Sequence, residues 1–196
     1  VLKVKDMIGD PSEFPSLESG QHSNIPWHFA SKHNSKHIDW MKHTPEGETA
    51  FNNSEHFPHV IEDGEKRVIS GFKTTYKRMS WNEPAPTVTM TNGSISSQNN
   101  VHPGRKLSDG TQSDARVLSV REILVLCGLP ADCLDHFCSI NPDGLFSYKY
   151  SHNFIRKVLG ELFLPKMALA MVMSIPIDSS LLVTNDQLEF LFNDCI

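Results

Sequence analysis

No run of apolar residues in this chain approaches the roughly 20 needed to cross a bilayer, which argues against a membrane protein. The N-terminus, Val-Leu-Lys-Val-Lys-Asp, has neither the apolar stretch of a signal peptide nor an initiator Met; a processed, cleaved or truncated chain is expected. The four cysteines, at 127, 133, 138 and 195, form no paired framework, so a reducing compartment is expected. Their Cys-x5-Cys-x4-Cys run matches no strong zinc pattern and reads as core cysteines. No internal repeat is present. With 39% hydrophobic and 21% charged residues, the 196-residue chain is an ordinary globular composition, long enough to bury a substantial core.

The net charge of −5 argues against nucleic acid, but its distribution does not. Residues 1–65 carry 5 basic and 11 acidic groups, residues 66–122 carry 9 and 4, and residues 123–196 carry 4 and 8. A basic middle segment matters more for phosphate contact than the whole-chain sum. A solvated surface that happens to be basic is the plainer alternative.

Residues 1–26, rich in Pro and Gly, read as a short element followed by a connector. Asn34 has the chemistry of a helix cap, Ile38 and Met41 fall on one face, and Thr44-Pro45-Glu46-Gly47 ends that helix. Seven of the ten histidines lie between 22 and 59. His33 and His37 have the i, i+4 spacing of a metal pair, but no Cys or carboxylate completes a matching set, and no metal is expected. These histidines, with Asn24, Asn34, Asn52 and Asn53, also suit base edges, or simply a polar surface. Residues 66–78 mix β-formers with cations around Gly71, predicting a strand pair or bulged strand, with Lys73, Thr74, Thr75, Tyr76, Lys77 and Arg78 along a phosphate backbone. Alternatively, Phe72 and Tyr76 fill a small sheet's core. Residues 92–115 are the most polar run, long for a connection; Ser96, Ser97, Gln98, Asn99, His102 and Arg105 are candidate DNA contacts, though a solvated linker has the same composition.

The stretch from Arg78 to Glu122 organises the rest. Pro84 and Pro86 stiffen an extended approach. Thr87 to Thr91 alternates polar and apolar and predicts a half-buried strand. Ser119-Val120-Arg121-Glu122 has the spacing of a capping box. The following helix is largely apolar and ends at Gly128 and Pro130. From Phe154 to Ile175 a helical pattern is broken at Gly160 and Pro165, and Thr184 begins a last amphipathic helix.

Trp-x-x-Pro-Ala-Pro-Thr from Trp81, then His102-Pro103-Gly104, then Arg-x-Leu-Ser-Val-Arg-Glu from Arg116, resembles in order the ninth motif region of DNA cytosine-5 methyltransferases. Asn153 to Glu161 followed by Pro165 resembles their tenth motif, usually close to Gln-Ile-Gly-Asn-x-Val-Pro-Pro; Glu161 stands where Asn is usual, and Leu164 precedes a single Pro. The resemblance covers about residues 78–170. Val4 to Asp10 is similar to the junction after the catalytic half, and the segment before 78 is compatible with the variable target-recognition region.

The resemblance implies an α+β fold: a junction and variable target-recognition region at 1–77, a DNA-recognition core at 78–122 and a helical region at 123–196. It implies that the helical region packs on an α/β catalytic domain this sequence lacks. It implies duplex DNA as a partner, S-adenosylmethionine as a cofactor shared with a catalytic chain or N-terminal half, and a cytoplasmic, prokaryotic or phage, restriction–modification setting. Asn153, Gly160 and Glu161 would line the cofactor site. The family's nucleophile follows a proline in a Pro-Cys-Gln-like motif, its glutamate lies in Glu-Asn-Val, and its cofactor loop is Phe-x-Gly-x-Gly; none occurs here. The sequence is therefore expected to be inactive alone, as the smaller subunit of a split enzyme or a fragment of a longer one. A non-catalytic DNA-binding or assembly module derived from the family is the second reading. An unrelated protein with a His-rich metal site is the third.

Overall fold

The computed structural model describes residues 1–97, 100–162 and 165–174, with side chains undescribed at 165–167. Two units separate along the chain, Val1–Leu162 and Phe163–Ile196. In the second, the described part is one helix, α5 (Pro165–Ser174), carrying exposed Leu169, Met171, Val172 and Met173. Gln98, Asn99, Phe163, Cys195 and the expected helix from Thr184 lie outside the described residues.

The first unit is α+β, as the resemblance implies: its described residues form four α-helices, two single-turn 3-10 helices and two small antiparallel hairpins among long irregular segments. Helix α1 (Val4–Ile8) is the short element expected ahead of the connector. Its first N–H groups have no intrahelical acceptor, so Val4 and Lys5 donate to the carbonyls of Glu83 and Trp81. Helix α2 (Ser35–Lys42) is capped by Asn34 as anticipated, its Oδ1 accepting from Lys36 N–H. Helix α3 (Val120–Leu126) begins with the expected reciprocal box. Ser119 Oγ accepts from Glu122 N–H at 3.2 Å while Glu122 Oε2 accepts from Ser119 N–H at 2.7 Å. Helix α4 (His152–Glu161) is capped by Ser151.

Hairpin β1–β2 (His59–Glu62, Glu65–Val68) turns at Asp63-Gly64, both at positive φ, which is what a two-residue hairpin turn demands. It lies earlier than the strand pair expected over 66–78, and Gly71 has open space around it rather than a bulge partner. Hairpin β3–β4 (Cys138–Ile140, Phe146–Tyr148) turns through Asn141-Pro142-Asp143-Gly144.

The expected strand at Thr87–Thr91 does not form. The segment is irregular, passes into a turn at Met90 and Thr91 and has no ladder, because its neighbour is a helix: a Cβ on Gly160 of α4 would lie 2.5 Å from Thr89 C and Met90 N. Single β-bridges instead connect Thr49 to Lys77, Arg78 to Val101 and Val101 to Val117. The polar run at 92–115 is also not a loose linker; Asn92, Ile95, Asn100 and all residues from Val101 to Gly104 are buried.

Two apolar clusters hold the unit. Val4, Ile8, Trp27, Leu118, Ile123 and Ile155 bring α1, α3 and α4 together; Trp40, Met41, Tyr76, Val101 and Val117 gather α2 beneath the first hairpin's flank. Burying each such side chain contributes about 1.5–3 kcal/mol. Cys127 is buried in the first cluster and half-buried Cys133 packs against it, as expected for core cysteines, whereas half-buried Cys138 in β3 belongs to neither cluster; all three are free thiols.

Candidate nucleic-acid interface

Between the two clusters lies a charged interior. Arg116, fully buried, donates through Nη1 and Nη2 to the two oxygens of Glu122 at 2.8 and 2.9 Å. It also donates through Nη2 to Asp114 Oδ1 at 2.8 Å, and to the carbonyls of Leu17 and Val117. A guanidinium has five N–H donors in a planar fork, and all are used here. Burial alone would push both carboxyls up. Instead, Arg116 with its hydrogen bonds, and His102 when protonated, holds Glu122 well below the carboxylate range and Asp114 at about 2.

His102 and His28 flank this pair as neutral rings. Burial, reinforced by Arg116, lowers His102 to about 4. Its Nδ1 accepts from Gly104 N–H at 3.0 Å, which leaves Nε2–H facing Glu122 Oε1 at 3.7 Å. Burial likewise lowers His28. Its Nε2 donates to Pro15 O, so Nδ1 accepts from the Ser119 hydroxyl. The Ser119 side chain thus serves the helix cap and the histidine at once.

Arg78 is equally buried. It donates to Met41 O from Nε and Nη2, to His102 O at 2.7 Å and to Asp114 O at 3.2 Å. Gly104 is needed at this point: its φ is +74°, and a Cβ would lie 2.6 Å from both Arg78 Nη1 and Ser113 O. Trp81 donates through Nε1 to Gly104 O at 2.7 Å and meets the His102 ring edge-on. So the conspicuous residues of the stretch, Trp81, His102, Gly104, Arg116, Ser119 and Glu122, converge on one locked interior knot.

This corrects three expected DNA contacts. Arg78 and His102 are 0% and 2% exposed, their polar atoms facing interior partners, so neither presents itself to a phosphate or base. Tyr76 is also buried, at φ +49°, its ring against Trp40 and Phe51; its hydroxyl bonds Ser96, and burial raises it. The surface layer is thinner. Lys73 and Thr74 are exposed beside Phe72, while Thr75, Lys77, Ser96 and Ser97 are half-buried. Arg105 is half-buried, stacked 5.4 Å over Trp81 and bonded to Gly9 O, a cation fixed at the rim. Lys66 and Lys106 are exposed basic groups in the same part of the sequence.

On α4, Asn153, Lys157 and Glu161 follow each other at i, i+4 and i+8 and are exposed, beside exposed Phe154 and Val158. Gly160 faces inward onto Thr89 and Met90, so its close approach is to this chain's own backbone.

The residue that the motifs did not single out is Arg156. It donates through Nη1 to Asn92 Oδ1 at 3.0 Å and through Nη2 to Leu118 O, while Asn92 Nδ2 donates back to Arg156 O at 2.9 Å. This reciprocal clasp joins the turn at 89–94 to α4; the residues are 64 apart, and no local spacing announces them.

No family model matches the chain. Against known proteins, it is 52% identical over 130 residues to the type II methyltransferase M1.HgaI of Avibacterium volantium, a match covering 66% of this chain and 35% of that protein. The chain spans about a third of the relative's length and is related to a methyltransferase over two-thirds of its own.

Proposed function

We propose that this chain is the target-recognition side of a DNA methyltransferase that transfers a methyl group from S-adenosylmethionine to C5 of cytosine, in a restriction–modification setting, with the nucleophile supplied by another part. The match to a type II methyltransferase at 52% identity supports methyl transfer in a restriction–modification setting, and the ordered motifs from Trp81, His102 and Arg116 support cytosine C5 as the target. Adding a nucleophile to a pyrimidine ring calls for a thiolate near neutral pH, in reach of an extruded base. Burial pushes the Cys127, Cys133 and Cys138 thiols up instead, the wrong direction for that work. Exposed Lys66, Lys73 and Lys106 and half-buried Lys77 supply cations suited to a duplex backbone, and the Arg116 knot holds the chain from Asp114 to Glu122 in one shape. The exposed row Asn153, Lys157 and Glu161 on α4 supplies polar groups for one wall of a cofactor site, which would supply the methyl group. Exposed Phe154 and Val158, and the apolar residues of α5, each offer surface to a catalytic partner.

The test is product identity. DNA methylated by the complete enzyme containing this chain is digested to nucleosides and resolved by mass spectrometry. 5-Methylcytosine supports the reading; N6-methyladenine or N4-methylcytosine as the only product overturns it. A DNA-binding module without a methylating partner would give no modified base at all.

A further inference from the structure

Apart from His28 in the Arg116 knot, the histidines at 22–59 have no part in the reading above, and the structure sorts them. His33 accepts from Val117 N–H, and the His37 ring packs on Trp40, so the i, i+4 pair noted in the sequence serves the interior. A different set meets at the surface. Asp39 and His43 are one helical turn apart at the end of α2, and His56 arrives from the segment leading into β1. The His43 and His56 rings stack with centroids 3.4 Å apart and planes 9° apart. Nδ1 of His56 is 2.8 Å from Asp39 Oδ2; Nδ1 of His43 donates to the Asp39 carbonyl at 2.9 Å, a bond an ion would displace, and is 3.7 Å from Oδ1.

We propose that Asp39, His43 and His56 bind one divalent transition-metal ion of the zinc class, tying the end of α2 to the root of the β1–β2 hairpin. One ligand atom from each residue lies within 4.8 Å of the others. Asp39 Oδ2 and His56 Nδ1, 2.8 Å apart, need open only slightly to the roughly 3.3 Å between donors of a tetrahedral ion with ~2.0 Å bonds, and the His43 nitrogen closes on them from within 4.8 Å. The ion takes the place of the proton between Asp39 and His56, and His43 turns slightly out of the stack to reach it. Two imidazole nitrogens and one carboxylate oxygen suit zinc, nickel or cobalt rather than magnesium or calcium, which prefer oxygen throughout. The surroundings favour a cation independently. The trio sits at the C-terminal end of α2, where the helix dipole is negative. It opens on a cleft of about 600 Å³ lined by Glu48, Asn52, Asn53 and Glu55, with no Lys or Arg in its wall.

The same two segments are already joined by Asn53, whose Nδ2 reaches Trp40 O, Thr44 Oγ1 and His56 O. The ion adds a second link there, fixing the base from which the exposed hairpin projects.

Chelator-washed full chain is titrated with zinc chloride by calorimetry, and bound metal is counted after dialysis. One equivalent is expected, with affinity falling at least ~10-fold in His43→Ala, His56→Ala and the near-isosteric Asp39→Asn, and unchanged in His136→Ala, an exposed histidine elsewhere. Zinc should slow tryptic cleavage after Lys66 and Arg67 in the parent and not in His56→Ala, with circular dichroism checking that each variant is folded. Zinc uptake equal in the parent and a His43→Ala/His56→Ala double variant, or no uptake by the parent, overturns the site. So does magnesium binding as tightly as zinc.

Discussion

Replacing Arg116 by Met tests the interior knot most severely. The change keeps much of the volume and removes the fork that holds Glu122 by two bonds and Asp114 by a third. Two carboxylates with no exposed side-chain surface are then left without their counter-charge. Breaking a buried pair from one side costs about 3–5 kcal/mol, a large fraction of the roughly 5–15 kcal/mol by which domains are stable. For a chain of this size that lowers Tm by roughly 6–20 °C. The pH dependence separates this cause from simple loss of packing. Both carboxyls are depressed in the fold, so their contribution is complete above their unfolded values near ~4 and is lost as pH falls through the folded ones. The deficit of Arg116→Met should therefore be greatest near neutrality and shrink as pH falls below about 4, first as the folded variant's uncompensated carboxyls take up protons and then as the parent's own depressed carboxyls do. Adding Asp114→Asn and Glu122→Gln should recover part of the loss at neutral pH. Urea unfolding followed by circular dichroism measures all three proteins. A loss under about 1 kcal/mol, or a triple variant no better than the single, would refute the argument that charge compensation holds the knot together.

Burial lowers His33, His102 and His152 to about 4 from an ordinary value of 6.5, so the stability of the native state is complete above pH 6.5 and declines as pH falls from there toward 4; an acid titration flat between 6.5 and 5 would contradict this. Gly160→Ala should destabilise the chain by 1–3 kcal/mol by forcing α4 off Thr89 and Met90, read as a lower urea midpoint; an unchanged midpoint would mean the contact yields freely. Lys73→Ala with Lys77→Ala and Arg105→Ala should weaken DNA binding across sequences and flatten the plot of log K against log salt by up to about 2–3 in slope, whereas Arg78→Ala should show its effect in thermal stability; an unchanged salt slope in the triple variant places the phosphate contact elsewhere. Light scattering on the isolated chain should find self-association through exposed apolar residues such as Phe154 and Val158, relieved by a catalytic partner.

What the sequence made legible was the chemistry completed within a few residues. The Ser119–Glu122 box and the Asn34 cap are local hydrogen-bond patterns, and both formed. Alternation at Thr87–Thr91 described a face without saying what it would meet, and the partner is the Gly160 side of α4 rather than a strand. The turn signals Asp63-Gly64 and Asn141-Pro142-Asp143-Gly144 were present and mark both hairpins, but neither belonged to the motifs that drew attention. Charge was the least legible property. A count over 66–122 cannot tell a solvated lysine from Arg78, whose donors end on carbonyls 24 to 37 residues away. The Asn92–Arg156 clasp and the Asp39–His43–His56 group were illegible for the same reason: each depends on chain segments brought together only by folding.

If this chain recognises DNA for a methyltransferase whose nucleophile lies elsewhere, neither part transfers a methyl group by itself. Radiolabelled methyl transfer from S-adenosylmethionine to duplex DNA tests it in three reactions: this chain alone, a partner chain carrying the Pro-Cys-Gln, Glu-Asn-Val and glycine-rich motifs alone, and the two combined. The account predicts counts on DNA only in the combined reaction. Label incorporated by this chain alone, or by the partner equally well without it, would contradict the account.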